Sequence, residues 1–186
     1  ADLLGATTMD RPEWVAVKPD NREVYVTLTN NDQRGRRDDQ PINSANPRWD
    51  NQHGHILRWR EQGDDPTATT FQWELFLLAG YPQTADVPAN QIGTIQGDIF
   101  SSPDGLWFDP EGRLWIETDY DEDSPDHRAM GTNQLLCANP YSGEVKRFLV
   151  GPKGCEVTGI TGTPDGTTLW ICLLYTSDAA DDLLCV

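Results

Sequence analysis

Hydrophobic and polar residues alternate with period two in three related stretches of the chain, Glu13 to Val26, Asp104 to Ile116 and Thr158 to Ile171. Each stretch is broken at its centre by a proline followed by an acidic residue and then Asn or Gly: Pro19-Asp-Asn21, Pro110-Glu-Gly112 and Pro164-Asp-Gly166. Proline pre-sets φ and the residue after the acid tolerates positive φ, while the flanks are rich in Val, Ile, Trp and Tyr. Each stretch therefore predicts strand, turn, strand.

Further strand-like runs lie between the hairpins. Gly54 to Trp59 is followed by Thr70 to Phe76, and Asn133 to Ala138 by Glu144 to Val150. A hairpin plus two more strands makes a four-stranded antiparallel unit that cannot bury both faces without neighbours, which is the signature of a propeller blade. The fold class expected is all-β, a β-propeller fragment of about two and a half four-stranded blades. Unequal spacing of Pro19, Pro110 and Pro164 comes from insertions over 31–53 and 79–101, which are rich in Asn, Asp, Arg, Pro and Gly and read as loops on the face near a site. A partial propeller is expected to leave open sheet edges and an exposed blade flank. The partial propeller is placed at 5–173, and 174–186 reads as a non-native tail, with Cys185 and Cys172 as accidents of that junction.

Thirty acidic against fourteen basic residues give a formal charge of -16, which opposes binding to nucleic acid or anionic lipid and suits cations. The strongest apolar run, Leu169 to Tyr175, is too short to span a bilayer, and no export signal stands at the N-terminus. No stable membrane insertion is expected. The four cysteines have no CxxC spacing, and most of them read as buried, inert thiols.

Aligning the hairpins puts Glu13 and Asp104 at one blade position, six residues before the turn proline, and Thr158 in the third. Glu156 lies two residues earlier and so on the same strand face. Because the inner strands of a propeller converge on its axis, Glu13, Asp104 and Glu156 are expected to meet there, where a hard cation such as Ca²⁺ would compensate them. The competing reading is that these acids cap hairpins or bond the next blade's backbone. Arg11 shares the face of Glu13 and is placed either to clamp a phosphoryl group or in a structural ion pair.

The stretch Asp119 to Asp126 begins like an EF-hand loop, but Ser124 replaces the required glycine and Met130 takes the twelfth position, so it reads as a solvated loop, with Asp119 able to face the channel rim. His53 and His55 lack further ligands in sequence and read as structural. No nucleophile-elbow, P-loop or dinucleotide motif occurs.

Several strings taken together are recognisable: Gly5-Ala-Thr-Thr-Met-Asp-Arg-Pro-Glu-Trp14, Thr27-Leu-Thr-Asn-Asn31, Asn46-Pro-Arg48, Gly54-His-Ile-Leu-Arg-Trp-Arg60, Gly97 to Asp109 and Gly154-Cys-Glu-Val-Thr-Gly159. In order and over about Gly5 to Ile171, the chain resembles the PhoX family of alkaline phosphatases. The resemblance implies an exported, periplasmic or secreted, monomeric propeller enzyme that hydrolyses small phosphate monoesters with Ca²⁺ and Fe³⁺ held by carboxylates and a cysteine. It implies Glu13, Asp104 and Glu156 as metal ligands and Arg11 as the phosphate binder. Cys155 adjoins Glu156 but points to the opposite strand face, and the iron-binding cysteine is expected in a missing N-terminal part; the fragment alone is expected to be inactive.

Two other readings stay open on the sequence. A calcium-dependent lactonase-like propeller would use similar acids without a phosphate clamp, and a non-catalytic binding propeller would use them structurally.

Overall fold

The turn chemistry folds as the sequence predicts, with one displacement. Gly112 (φ 78°) and Gly166 (φ 68°) take the left-handed turn position in the second and third hairpins. In the first it is Arg22 (φ 59°), whose N–H bonds the Lys18 carbonyl at 3.1 Å, and not Asn21. Asn21 serves instead through its side chain, which accepts from the Glu23 N–H at 3.1 Å.

The computed structural model describes residues 2–175 and is all-β. β1 (Pro12–Val17), β2 (Val24–Leu28), β3 (His55–Glu61) and β4 (Phe71–Leu78) form an antiparallel sheet in chain order. The second sheet is β6 (Pro103–Phe108), β7 (Leu114–Thr118), β8 (Gln134–Ala138) and β9 (Glu144–Val150), with the short β5 (Gln96–Gly97) added parallel to β9. A third hairpin pairs β10 (Cys155–Gly162) with β11 (Leu169–Tyr175). These are two propeller blades and the inner half of a third. β11 continues to Tyr175, opposite Cys155, so Cys172 sits in its ladder beside Gly159; 176–186, with Cys185, lie outside the described residues.

Packing between blades explains the burial. Tyr25, Ile56 and Leu77 of the first sheet meet Leu106, Phe108, Leu114, Ile116 and Leu136 of the second. The Tyr25 ring stands edge-on to Phe76 (5.3 Å) and Phe108 (5.2 Å). On the other side of the second sheet, Trp115 and Leu135 meet Val157 with Ile160 and Ile171. Each large side chain so buried contributes about 1.5–3 kcal/mol. β7 is sandwiched on both faces and buried at every position. β1 keeps Trp14, Val15 and Val17 exposed, with Phe71 and Trp73 exposed on β4 and Phe148, Val150 and Trp170 near the other flank, the open blade flanks the sequence predicts. Among the described residues no helix is long and apolar enough to cross a membrane.

The insertion over 31–53 is held by two buried guanidinium groups. Arg34 Nε donates to Asp10 Oδ1 at 2.7 Å with both side chains fully buried, and its remaining N–H groups reach Thr8 and the Pro41 carbonyl. Arg48 donates to the carbonyls of Ala79 and Gly54 and to Asn51, which in turn donates to Asp10. Asp10→Ala leaves Arg34 buried and uncompensated, and denaturant unfolding of the full-length protein is expected to show a loss of about 3–5 kcal/mol; a loss below about 1 kcal/mol would contradict this.

Candidate metal centre

Each inner strand carries an irregularity at the same blade position. The pairing register shifts between Pro12 and Val15, between Pro103 and Leu106, and between Val157 and Gly159. An inserted residue bends a strand and re-aims its side chains, and these bulges hold Glu13, Asp104 and Thr158. Just before the first two, Arg11 (φ 47°) and Ser102 (φ 48°) occupy equivalent left-handed positions. Their carbonyls accept from the N–H groups of Thr29 (3.1 Å) and Asp119 (3.0 Å), the residues that follow β2 and β7. Glu156 is the third member of this set, paired with Leu174. Two non-glycine residues at positive φ mark backbone strain held by the surrounding hydrogen bonds.

Three carboxylates meet where these strands converge. Ligand oxygens of Asp104, Asp119 and Glu156 all lie within 4.8 Å of one another. Asp104 is buried, and its carboxyl is pushed up to about 7, first by burial and then by the charges of Glu13, Asp119 and Glu156 and by a carboxyl hydrogen bond with Glu156. Glu13 thus faces the cluster but stands at its rim, with its side chain 40% exposed and 3.7 Å from Arg11 Nη2. The sequence reads Asp119 to Asp126 as a solvated loop with Asp119 able to face the channel rim; β7 delivers Asp119 into the cluster, while the loop beyond it closes on itself. There Ser124 caps a short turn, the Asp121 carbonyl accepts from His127 Nδ1 at 2.8 Å, and Glu122 accepts from the Gly154 N–H at 2.7 Å, fastening the start of β10 beside Asp119.

Glu117 was missed entirely. It is buried on β7, and neither carboxylate oxygen has a hydrogen-bond partner among the described residues. Burial first, then Asp104 and Glu156, push its carboxyl up to about 8. A Cβ at Gly105 would stand 1.7 Å from Glu117 Oε2, so the glycine in the bulge makes room for this carboxylate. The equivalent residue of the first blade, Thr27, spends its hydroxyl on the backbone, accepting from the Trp14 N–H (3.0 Å) and donating to the Asp104 carbonyl (2.7 Å). The signal available in sequence was period two: Glu117 and Asp119 flank Thr118 on one strand face.

An all-oxygen group of acids, half-buried at Asp119 and Glu156 and buried at Asp104 and Glu117, the last with both oxygens unpartnered, fits a hard cation. Softer ligands are turned away. Cys155 is buried beside Gly151 and Val157, on the face opposite Glu156, as strand alternation predicts. His53 and His55 diverge: His53 Nδ1 meets Ser101 Oγ at 3.0 Å, and His55 Nε2 meets the Ala45 carbonyl at 2.7 Å. Both are buried with proton affinity driven down by burial, His53 to about 3 under the added charges of His127 and Arg48.

The unfolded histidines bind a proton below about 6.5 and the folded ones do not. Stability is therefore full above that pH and falls as pH drops, by about 1.4 kcal/mol per pH unit for each ring, from 6.5 toward about 3 for His53 and toward about 4 for His55. Urea unfolding of the full-length protein at pH 7 and pH 5 reads this slope, and His53→Asn is expected to reduce it; an unchanged slope in that variant would contradict the assignment.

Comparison with known proteins follows the same residues. The family model described as alkaline phosphatase PhoX matches residues 1–175. Among solved structures, Pseudomonas fluorescens PhoX in complex with vanadate, a transition state analogue, is similar at 48% identity and a TM-score of 0.86, covering 94% of this chain and 30% of that one. The chain thus spans 30% of that relative's length. Curated proteins give no match. The family match takes in both blades, the third hairpin and every carboxylate of the cluster, and the chain belongs to the alkaline phosphatase PhoX family.

Proposed function

We propose that this chain supplies part of the active site of a metal-dependent phosphate monoesterase, with Glu13, Asp104 and Glu156 as metal ligands, joined by Asp119 and Glu117, and with Arg11 as the phosphate-binding residue. The observation that carries the reading is the partly buried carboxylate cluster with a guanidinium at its rim. Anionic substrate is drawn to an acidic wall only where cations neutralise it, and the unpartnered oxygens of Glu117 are the plainest sign of such a requirement. That the Pseudomonas fluorescens relative is described in complex with vanadate, a transition state analogue, supports carrying phosphoryl chemistry over to this chain.

The donor set suits Ca²⁺, and Fe³⁺ as a second hard ion, which when bound would neutralise phosphate oxygens and activate the attacking oxygen. The chain's own groups orient the ester. Arg11 Nη2 lies 3.7 Å from Glu13 at the rim of the cluster, and its planar guanidinium would donate to a phosphate oxygen there. Glu13 fixes that guanidinium from the rim. The raised carboxyls of Asp104 and Glu117 ionise more readily beside positive charge, so cation and substrate sites are electrostatically joined. The propeller portion assigned to this activity is 5–173, in an exported, monomeric protein that acts on small phosphate esters.

The test is release of inorganic phosphate from a generic monoester by the full-length protein, with and without a calcium chelator, beside hydrolysis of a simple lactone. Phosphate release that stops on chelation, returns with Ca²⁺ and falls in Glu13→Gln supports the proposal. Lactone hydrolysis without phosphate release would overturn it.

A further inference from the structure

The string Thr27-Leu-Thr-Asn-Asn31 contains a residue that the acid cluster does not use. Asn30 follows β2 and stands between the two strained positions of neighbouring blades. Its Oδ1 accepts from Arg11 Nη1 at 3.1 Å, and its Nδ2 donates to Ser102 Oγ at 3.4 Å. One amide orientation satisfies both bonds. Behind it the chain of contacts goes inward, from Ser102 Oγ to Ser101 Oγ (3.2 Å) and on to His53 Nδ1 (3.0 Å), all three residues being fully buried. The backbone repeats the link, since the Ser102 N–H donates to the His53 carbonyl at 2.7 Å and the Thr29 N–H to the Arg11 carbonyl at 3.1 Å.

Arg11 is half exposed, and a free arginine side chain samples many rotamers. Here one of its amino groups is tied through Asn30 to the buried core of the next blade, and the other is left facing Glu13. Arg11, Asn30 and Asp119 line the same open pocket. We propose that Asn30 is a positioning residue that holds the Arg11 guanidinium in its phosphate-binding orientation by bridging it to Ser102, an inference that rests on the reading of Arg11 as the phosphate binder. Asn30 acts through Arg11 and needs no contact with substrate. The arrangement makes the orientation of the clamp in one blade depend on the packing of its neighbour.

The test uses the full-length, metal-loaded protein and its Arg11→Ala, Asn30→Ala, Asn30→Asp and Arg11→Ala/Asn30→Ala forms. KM and kcat are measured on a generic phosphate monoester, with inhibition by inorganic phosphate and the unfolding midpoint. Asn30→Ala is expected to raise KM and the phosphate inhibition constant about tenfold, with the unfolding midpoint unchanged. The double variant is expected to be no worse than Arg11→Ala alone, and Asn30→Asp to recover part of the loss because its carboxylate still accepts from Arg11. If Arg11→Ala is impaired while Asn30→Ala is not, or if the two losses multiply in the double variant, the positioning role is overturned. If Arg11→Ala leaves KM and phosphate inhibition unchanged, it is the reading of Arg11 itself that fails.

Discussion

Asp104→Asn in the full-length protein lowers kcat/KM for a generic phosphate monoester by about a thousandfold, the scale of the several kcal/mol of charge stabilisation that a bound cation supplies. The substitution keeps the size of the side chain and its place in the bulge of β6, and removes the buried charge that Asp119 and Glu156 surround. Steady-state kinetics with saturating Ca²⁺ reads the effect, and added cation should restore activity only in part because one ligand oxygen has become an amide. A loss of less than about fivefold, or a loss matched by an equal fall in folded protein, would place Asp104 in the scaffold and not in the site.

Glu117→Gln separates a cation site from a structural carboxylate by the sign of its effect. A buried acid with no hydrogen-bond partner costs stability whenever no cation is near. Stripped of metal, the Gln variant is therefore expected to be more stable than the parent by about 2–4 kcal/mol. With Ca²⁺ present the order narrows or reverses, because the parent gains binding energy that the amide cannot match. Thermal unfolding with chelator and with excess Ca²⁺ gives both numbers. A variant that is less stable than the parent under both conditions would show that Glu117 is held by the protein alone.

Much of this architecture could be read from the chain. Pro-Asp-Asn, Pro-Glu-Gly and Pro-Asp-Gly turns flanked by period-two runs marked all three hairpins, and the intervening runs located β3, β4, β8 and β9 to within a residue or two. The alignment of Glu13 with Asp104, and Glu156 on the same face, placed three acids near one axis. The bulges were not legible, because a register shift leaves the residue pattern intact while it re-aims the side chains within it. Glu13 stands at the rim, and Asp119, delivered by the end of β7, completes the inner trio. Glu117 was hidden for a different reason: β7 is packed on both faces, so burial there follows the neighbouring blades and not alternation along the strand. The space that admits its carboxylate comes from Gly105 on another strand, a relation that no local window contains.

The most direct measurement is a crystal structure of the full-length protein grown with Ca²⁺, with anomalous difference density calculated around the inner strands. A cation is expected there whose oxygen ligands, at about 2.3–2.6 Å, include the carboxylates of Asp104, Asp119 and Glu156. Carboxylates bonded only to side chains, backbone or water in that crystal, with no anomalous density among them, would contradict it.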